Sequence, residues 1–278
     1  MPLGITGSTG RLGGRVAHRL AAAGVPQRLL VRDPARAPEL PGRTVAIAPY
    51  DDGAAVREAL RGLETVLMVS GAEHPDRVGQ HRTFIDAAAD AGVQHLVYVS
   101  FLGAAPDATF TLARDHWATE QHARAVGLTT TSLRDGLYAD DMPAMVEAGG
   151  VLRGPAGEGR ASVVALDDVA DAAVAVLRDP AAHAGATYDL TGPEALTLAE
   201  VAATIGAVTG RPVRYQVETV DEAYASRASY GAPRWLVDAW VSTYTAIDAG
   251  ELATVSSAVP DLTGHPARTL TDVLRAAG

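Results

Sequence analysis

Three glycines, Gly7, Gly10 and Gly13, recur at every third position in the stretch TGSTGRLG, directly after a short apolar run. A turn of this composition lets backbone N–H groups approach a pyrophosphate, because no Cβ stands in the way. A helix opening near Arg11 would add the positive end of its dipole at the same place. Gly7, Ser8, Thr9, Gly10, Arg11, Leu12 and Gly13 therefore form a candidate phosphate cradle. Nineteen residues past Gly13, the run LLVRDP puts Arg32 at a strand end. An NAD site carries an acidic residue there, on the ribose hydroxyls. A guanidinium fork suits a 2′-phosphate instead, so the expected cofactor is NADP(H), with NADPH favoured over NADH. Asp33 follows at once and keeps the signal from being clean.

Other chemistries are excluded by residue type. All 23 basic residues are arginine and cysteine is absent. No catalytic lysine, Schiff base, Tyr-x-x-x-Lys dyad, thiolate nucleophile, disulfide or cysteine metal site is available. The eight histidines show no HExxH or comparable spacing, so no metal is expected.

The elements that must hold these residues alternate between apolar runs and helical patterns. Strands are expected at 3–6, 28–31, 44–48, 65–69, 95–100 and 129–133, with helices at 12–23, 53–60 and 113–126. Val78, His81, Ile85, Ala88 and Gly92 share one further helical face. This order implies an α/β fold, a doubly wound, mostly parallel Rossmann sheet. Beyond it a smaller, mainly helical C-terminal lobe is expected. The glycine- and proline-rich stretch 149–159 reads as a loop or hairpin, 162–166 as a strand, and Asp167 and Asp168 as the N-cap of a helix over 169–177. Those acids suit a helix start, where the dipole favours them; a catalytic carboxylate pair is the alternative. Residues 187–190 read as a strand, Thr197 with Glu200 as a capping box, and the tail from Val213 as helical. The expected domains are 1–150 for the nucleotide and 151–278 for the substrate side, with about 160–190 returning to the sheet.

The net charge of −10 and the lack of a basic block argue against nucleic acid. No run nears eighteen apolar residues and the N-terminus is no signal peptide, so a cytoplasmic protein away from membranes is expected. The expected partner is a small-molecule substrate. Trp235 and Trp240 read as packing of a small lobe or a subunit contact, which leaves a homodimer open.

The stretches TGSTGRLG, LVRDPARA, YDDGAAVREALRGLETVLMVSG, AAADAGVQHLVYVSFLGA, DHWATEQHARAVGLTTTSLRDGLY and YDLTGPEALTLAEVAA resemble, in order, the NmrA-like group of atypical short-chain dehydrogenases. The resemblance is strongest to bacterial NADPH-dependent quinone oxidoreductases. It implies that Gly7 to Gly13 hold the pyrophosphate and Arg32 the 2′-phosphate. Ser70 and Gly71 would lie along the nicotinamide half. Ser100, Phe101, Leu102 and Tyr138 would wall the substrate cleft. The group often has an acidic residue just before Tyr50, near the adenine; Pro49 stands here, leaving Tyr50, Asp51 or Asp52 to substitute. Related reductases carry a lysine eleven residues before the glycine of the turn after this helix. Counting back from Gly127 gives His116, with Leu112 where the tyrosine would be.

Without that dyad, an unactivated ketone lacks the positioned acid its alkoxide needs. A quinone is easier: its phenolate is delocalised and takes protons from water. The expected activity is NADPH-dependent hydride transfer to a quinone or related conjugated molecule. His116 would orient the acceptor or donate a proton, and Ser100 or Tyr138 would polarise its oxygen. Two other readings stand beside this: a non-catalytic NADP(H)-sensing regulator, and a biosynthetic tailoring reductase.

Overall fold

The computed structural model describes residues 3–277. Strands β1 (Leu3–Thr6), β2 (Gln27–Val31), β3 (Arg43–Ile47), β4 (Thr65–Val69), β5 (His95–Phe101) and β6 (Thr129–Asp135) alternate with helices α1 (Arg11–Ala22), α2 (Gly53–Leu60), α3 (Arg77–Asp90) and α4 (Thr111–Ala125). Further on come β7 (Val151–Gly154), β8 (Arg160–Ala161), α5 (Leu166–Arg178), β9 (Thr187–Leu190), β10 (Leu196–Thr197), α6 (Leu198–Thr209) and β11 (Arg214–Val217). Four helices close the chain: α7 (Val220–Arg227), α8 (Arg234–Asp248), α9 (Ala258–Thr263) and α10 (Leu270–Ala276).

Seven strands form one sheet in the order β3-β2-β1-β4-β5-β6-β9. The pairings β2–β3, β1–β2, β1–β4 and β4–β5 are parallel. Unbroken apolar strands such as TVLMV suit a sheet covered on both faces. One face carries Leu30, Leu60, Val66, Met68, Phe84, Ile85, Leu96 and Tyr98 in a single buried cluster. The strand order reverses between β1 and β4. Open α/β sheets bind ligands at such a reversal, beyond the carboxyl ends of the strands.

Two compact units divide the chain, neither a single stretch. One holds the residues up to Phe101 with Asp115–Arg134 and Val169–Tyr188; the other holds Leu102–Arg114, Asp135–Asp168 and the chain from Asp189 onward. In the second unit, β7 and β11 pair in parallel and β8 and β10 antiparallel. Ala223 of α7 packs with Val237 and Val241 of α8. Thr197 and Glu200 complete the expected capping box of α6.

Three expectations are corrected. Residues 162–166 form no strand: they are buried, Val164 makes one isolated bridge to Tyr138, and Leu166 already begins α5. The helix starts early because the Leu166 N–H donates to Asp140, 2.9 Å away, a cap remote in sequence. Asp167 and Asp168 thus lie inside its first turn, and buried Asp168 accepts from the Arg268 N–H at 2.7 Å. The tail is not wholly helical, since Arg214–Val217 adds a strand in parallel beside Val151–Gly154, where the sequence suggested a loop or hairpin.

Candidate active site

The glycine turn joins β1 to α1 with Gly7 at φ +65° and the Gly10 N–H on the Gly7 carbonyl at 2.8 Å. A side chain at Gly13 would overlap the Gly7 carbonyl, so only glycine lets α1 pack this closely on the strand end. No side chain caps α1, and no acidic residue occupies its first turn. Its leading N–H groups and dipole are therefore available to an anion. Ser8 Oγ is buried without a hydrogen-bond partner, in the middle of the same turn. A buried orphan hydroxyl costs stability unless something meets it, and a phosphate oxygen would.

A cavity of about 290 Å³ runs from this turn along the switch point. It is lined by Gly7, Thr9, Arg32, Tyr50, Asp51, Ser70 and Gly71, among others. Arg32 is exposed at the end of β2. The Asp33 carboxylate turns back to accept from the Ala35 N–H at 3.0 Å. The Tyr50 hydroxyl lies 2.6 Å from the Val69 carbonyl and 2.7 Å from Thr6 Oγ1, tying β1 to β4. Burial raises its pKa. Asp52 caps α2 through the Ala55 N–H. Of the three acceptors considered near the adenine, only Asp51 presents an exposed carboxylate to the cavity.

Of the substrate-side residues, Ser100 and His116 belong to the first unit and Tyr138 to the second. Ser100 is fully buried, and its hydroxyl donates to Glu120 at 2.7 Å. Glu120 is also held by both ends of the Arg134 guanidinium, at 2.7 and 2.8 Å. His116 is 5% exposed. Arg77 donates to its Nε2 at 3.0 Å, so the ring proton sits on Nδ1, 2.9 Å from the Tyr98 hydroxyl. Desolvation, then Arg77, holds this imidazole neutral, well below its usual pKa. Both ring nitrogens of His116 and the hydroxyl of Ser100 are thus engaged within the first unit. Tyr138 is half-buried and donates to Asp135 at 2.5 Å.

Sequence reading missed Arg77 and gave His81 no role beyond a helix face. Both are buried in α3 and both bond Gly71. The available signal was a histidine on an otherwise apolar face, since a buried polar group must find a partner.

A second cavity, about 500 Å³, lies within the second unit, lined by Met145, Arg153, Arg227, Tyr230, Trp240 and Tyr244. Its charges are matched internally: Arg153 meets Glu147 at 2.7 Å and Arg227 meets Glu218 at 3.0 Å. Trp240 stands edge-on to Tyr230, with ring centroids 6.1 Å apart.

Among known proteins, the NAD(P)H azoreductase of Xenophilus azovorans is 35% identical over 277 residues, 98% of this chain and 96% of that protein. The crystal structure of an NADPH-dependent quinone oxidoreductase from Escherichia coli, complexed with NADPH, superposes with a TM-score of 0.90 at 35% identity, covering 99% of both chains. The triphenylmethane reductase of Citrobacter sp., complexed with NADP(H), gives a TM-score of 0.87 at 28% identity over 99% of this chain and 100% of its own. No helix among the described residues is long and apolar enough to cross a membrane. The family model for the NmrA-like family matches residues 3–228, the span that carries the glycine turn, the switch-point cavity and the buried α3–α4 histidines, and the chain belongs to that family.

Proposed function

We propose that this chain is an NADPH-dependent oxidoreductase that delivers hydride to a quinone or a similarly conjugated small molecule. The observation that carries the reading is the single cavity joining the Gly7 turn, Arg32 and the Ser70–Gly71 loop across the switch point. Three relatives point the same way, because an azo compound, a quinone and a triphenylmethane dye are all conjugated acceptors. NADPH supplies the hydride when bound.

The chain's own residues bind and position. The turn's N–H groups and Ser8 Oγ would hold the pyrophosphate, Arg32 the 2′-phosphate, and Asp51 the adenine end. Ser70 and Gly71 would flank the nicotinamide half. No positioned lysine or tyrosine supplies a proton, and water suffices for a hydroquinone. His116 acts from behind the surface through Arg77, while the Ser100 hydroxyl serves Glu120 and the Tyr138 hydroxyl serves Asp135. Steady-state NADPH oxidation with a quinone and with a matched saturated ketone tests the reading. Quinone turnover with weak ketone turnover is expected. Ketone turnover without quinone turnover overturns it, and tight NADPH binding with no turnover of any acceptor returns the chain to the sensing role.

A further inference from the structure

The loop after β4 is held by both polar groups of one peptide unit pair. The Gly71 N–H donates to His81 Nε2 at 2.8 Å, and the Gly71 carbonyl accepts from Arg77 Nε at 3.0 Å. Both anchors come from α3, four residues apart, so they share one helix face. Each is locked from α4. With Nε2 accepting, His81 carries its proton on Nδ1 and donates to Thr119 Oγ1 at 2.9 Å, whose hydroxyl passes on to the Asp115 carbonyl at 2.8 Å. Arg77 spends a second nitrogen on His116, and its third lies 3.9 Å from Asp115. A buried guanidinium is costly to keep, yet this one is spent on a loop that lines the switch-point cavity.

We propose that Arg77 and His81 are positioning residues for the dinucleotide, holding the Ser70–Gly71 loop in the shape that takes the nicotinamide half. This rests on the cofactor reading above. His81 fills the role only as the neutral Nδ1–H tautomer, because a protonated ring has no lone pair for the Gly71 N–H. Around it stand Arg77 on its own helix, Tyr50 beyond β3, Tyr98 on β5, and Asp115 and His116 on α4. Burial and the Arg77 charge keep it neutral. Arg77 links this anchor to His116, which explains why a histidine sits where related reductases carry lysine: here it receives an arginine rather than a substrate.

Two substitutions separate positioning from packing. Glutamine at 81 can place an acceptor where Nε2 stood, while asparagine reaches only the Nδ1 position and keeps the Thr119 side. Each loses one of two hydrogen bonds, so a purely structural role predicts parallel effects. The measurements are NADPH affinity by calorimetry and hydrogen exchange of the Gly71 amide in the unliganded protein. We expect His81→Gln to bind NADPH within about 3-fold of wild type with Gly71 protected. His81→Asn should bind at least about 10-fold more weakly with Gly71 exchanging freely, the scale of one lost hydrogen bond. Equal weakening in both variants, or Gly71 protection that ignores the substitution, overturns the inference while wild-type NADPH binding leaves the cofactor reading intact. Failure of the wild-type chain to bind NADPH overturns both.

Discussion

Gly13 packs directly on the carbonyl of Gly7: a Cβ there would overlap that oxygen and lie 2.7 Å from the Thr6 carbonyl. Gly10, in the same triplet, would bring a Cβ no closer than 3.2 Å to the Gly7 oxygen. The glycines are thus unequal, although the sequence spaces them evenly. Gly13→Ala should cost about 1–3 kcal/mol as an overpacking substitution and abolish NADPH binding. Gly10→Ala should keep stability within about 1 kcal/mol. Urea denaturation and calorimetric titration of both variants check the contrast, and equal stability losses would refute it.

Arg32 lines the cavity at the end of β2, where we propose that it takes the 2′-phosphate. Asp33 beside it spends one carboxylate oxygen on the Ala35 N–H. Arg32→Ala should weaken NADPH about 10-fold or more, the size of a lost charge-assisted contact, and leave NADH nearly unchanged. Comparing the two cofactors in wild type and variant decides it; equal wild-type affinities would remove the 2′-phosphate role.

Acid should destabilise the fold through its buried histidines. Desolvation, then Arg77, lowers the His81 pKa to about 3, and His116 is lowered in the same direction. Both are neutral in the fold and take up protons in the unfolded chain below about pH 6.5. Between that value and the folded one, the unfolded state binds more protons. Their contribution is therefore whole above about pH 6.5 and is lost as pH falls, at about 1.4 kcal/mol per unit for each histidine. Urea midpoints at pH 7, 6 and 5 should drop less steeply in His81→Gln, which cannot titrate. Parallel slopes would mean that His81 takes up protons equally in the folded and unfolded chain, so that its pKa is not lowered in the fold.

Ser100 should prove structural. Its hydroxyl serves Glu120, which is wholly buried and clamped by Arg134. Arg134→Met should cost about 1.5–3 kcal/mol, because the carboxylate keeps Ser100 and the Arg124 guanidinium 3.4 Å away. Ser100→Ala should cost about 1–2 kcal/mol with little change in kcat. A drop of about 100-fold in kcat at preserved stability would instead make Ser100 a general acid.

The legible part of the molecule was local. The glycine triplet between strand and helix, Arg32 at a strand end, Thr197 with Glu200, and the buried runs of β4 and β5 each carry their meaning within a few residues, because turn sterics, capping and side-chain alternation act over that range. The absence of lysine excluded the usual dyad before any fold was known. What depended on tertiary structure was every pairing across sequence distance. Asp140 starts α5 from 26 residues away. β7 finds β11 across some sixty residues, as Val151 meets Arg214. His116, counted into the place of a catalytic lysine, is enclosed by Tyr98 and Arg77. Ser100, at the end of an expected cleft-forming strand, turns inward to a carboxylate on α4. A buried polar group must be satisfied, but its sequence neighbours do not say by whom. Which face of a strand end meets the ligand and which meets the next helix is decided by packing.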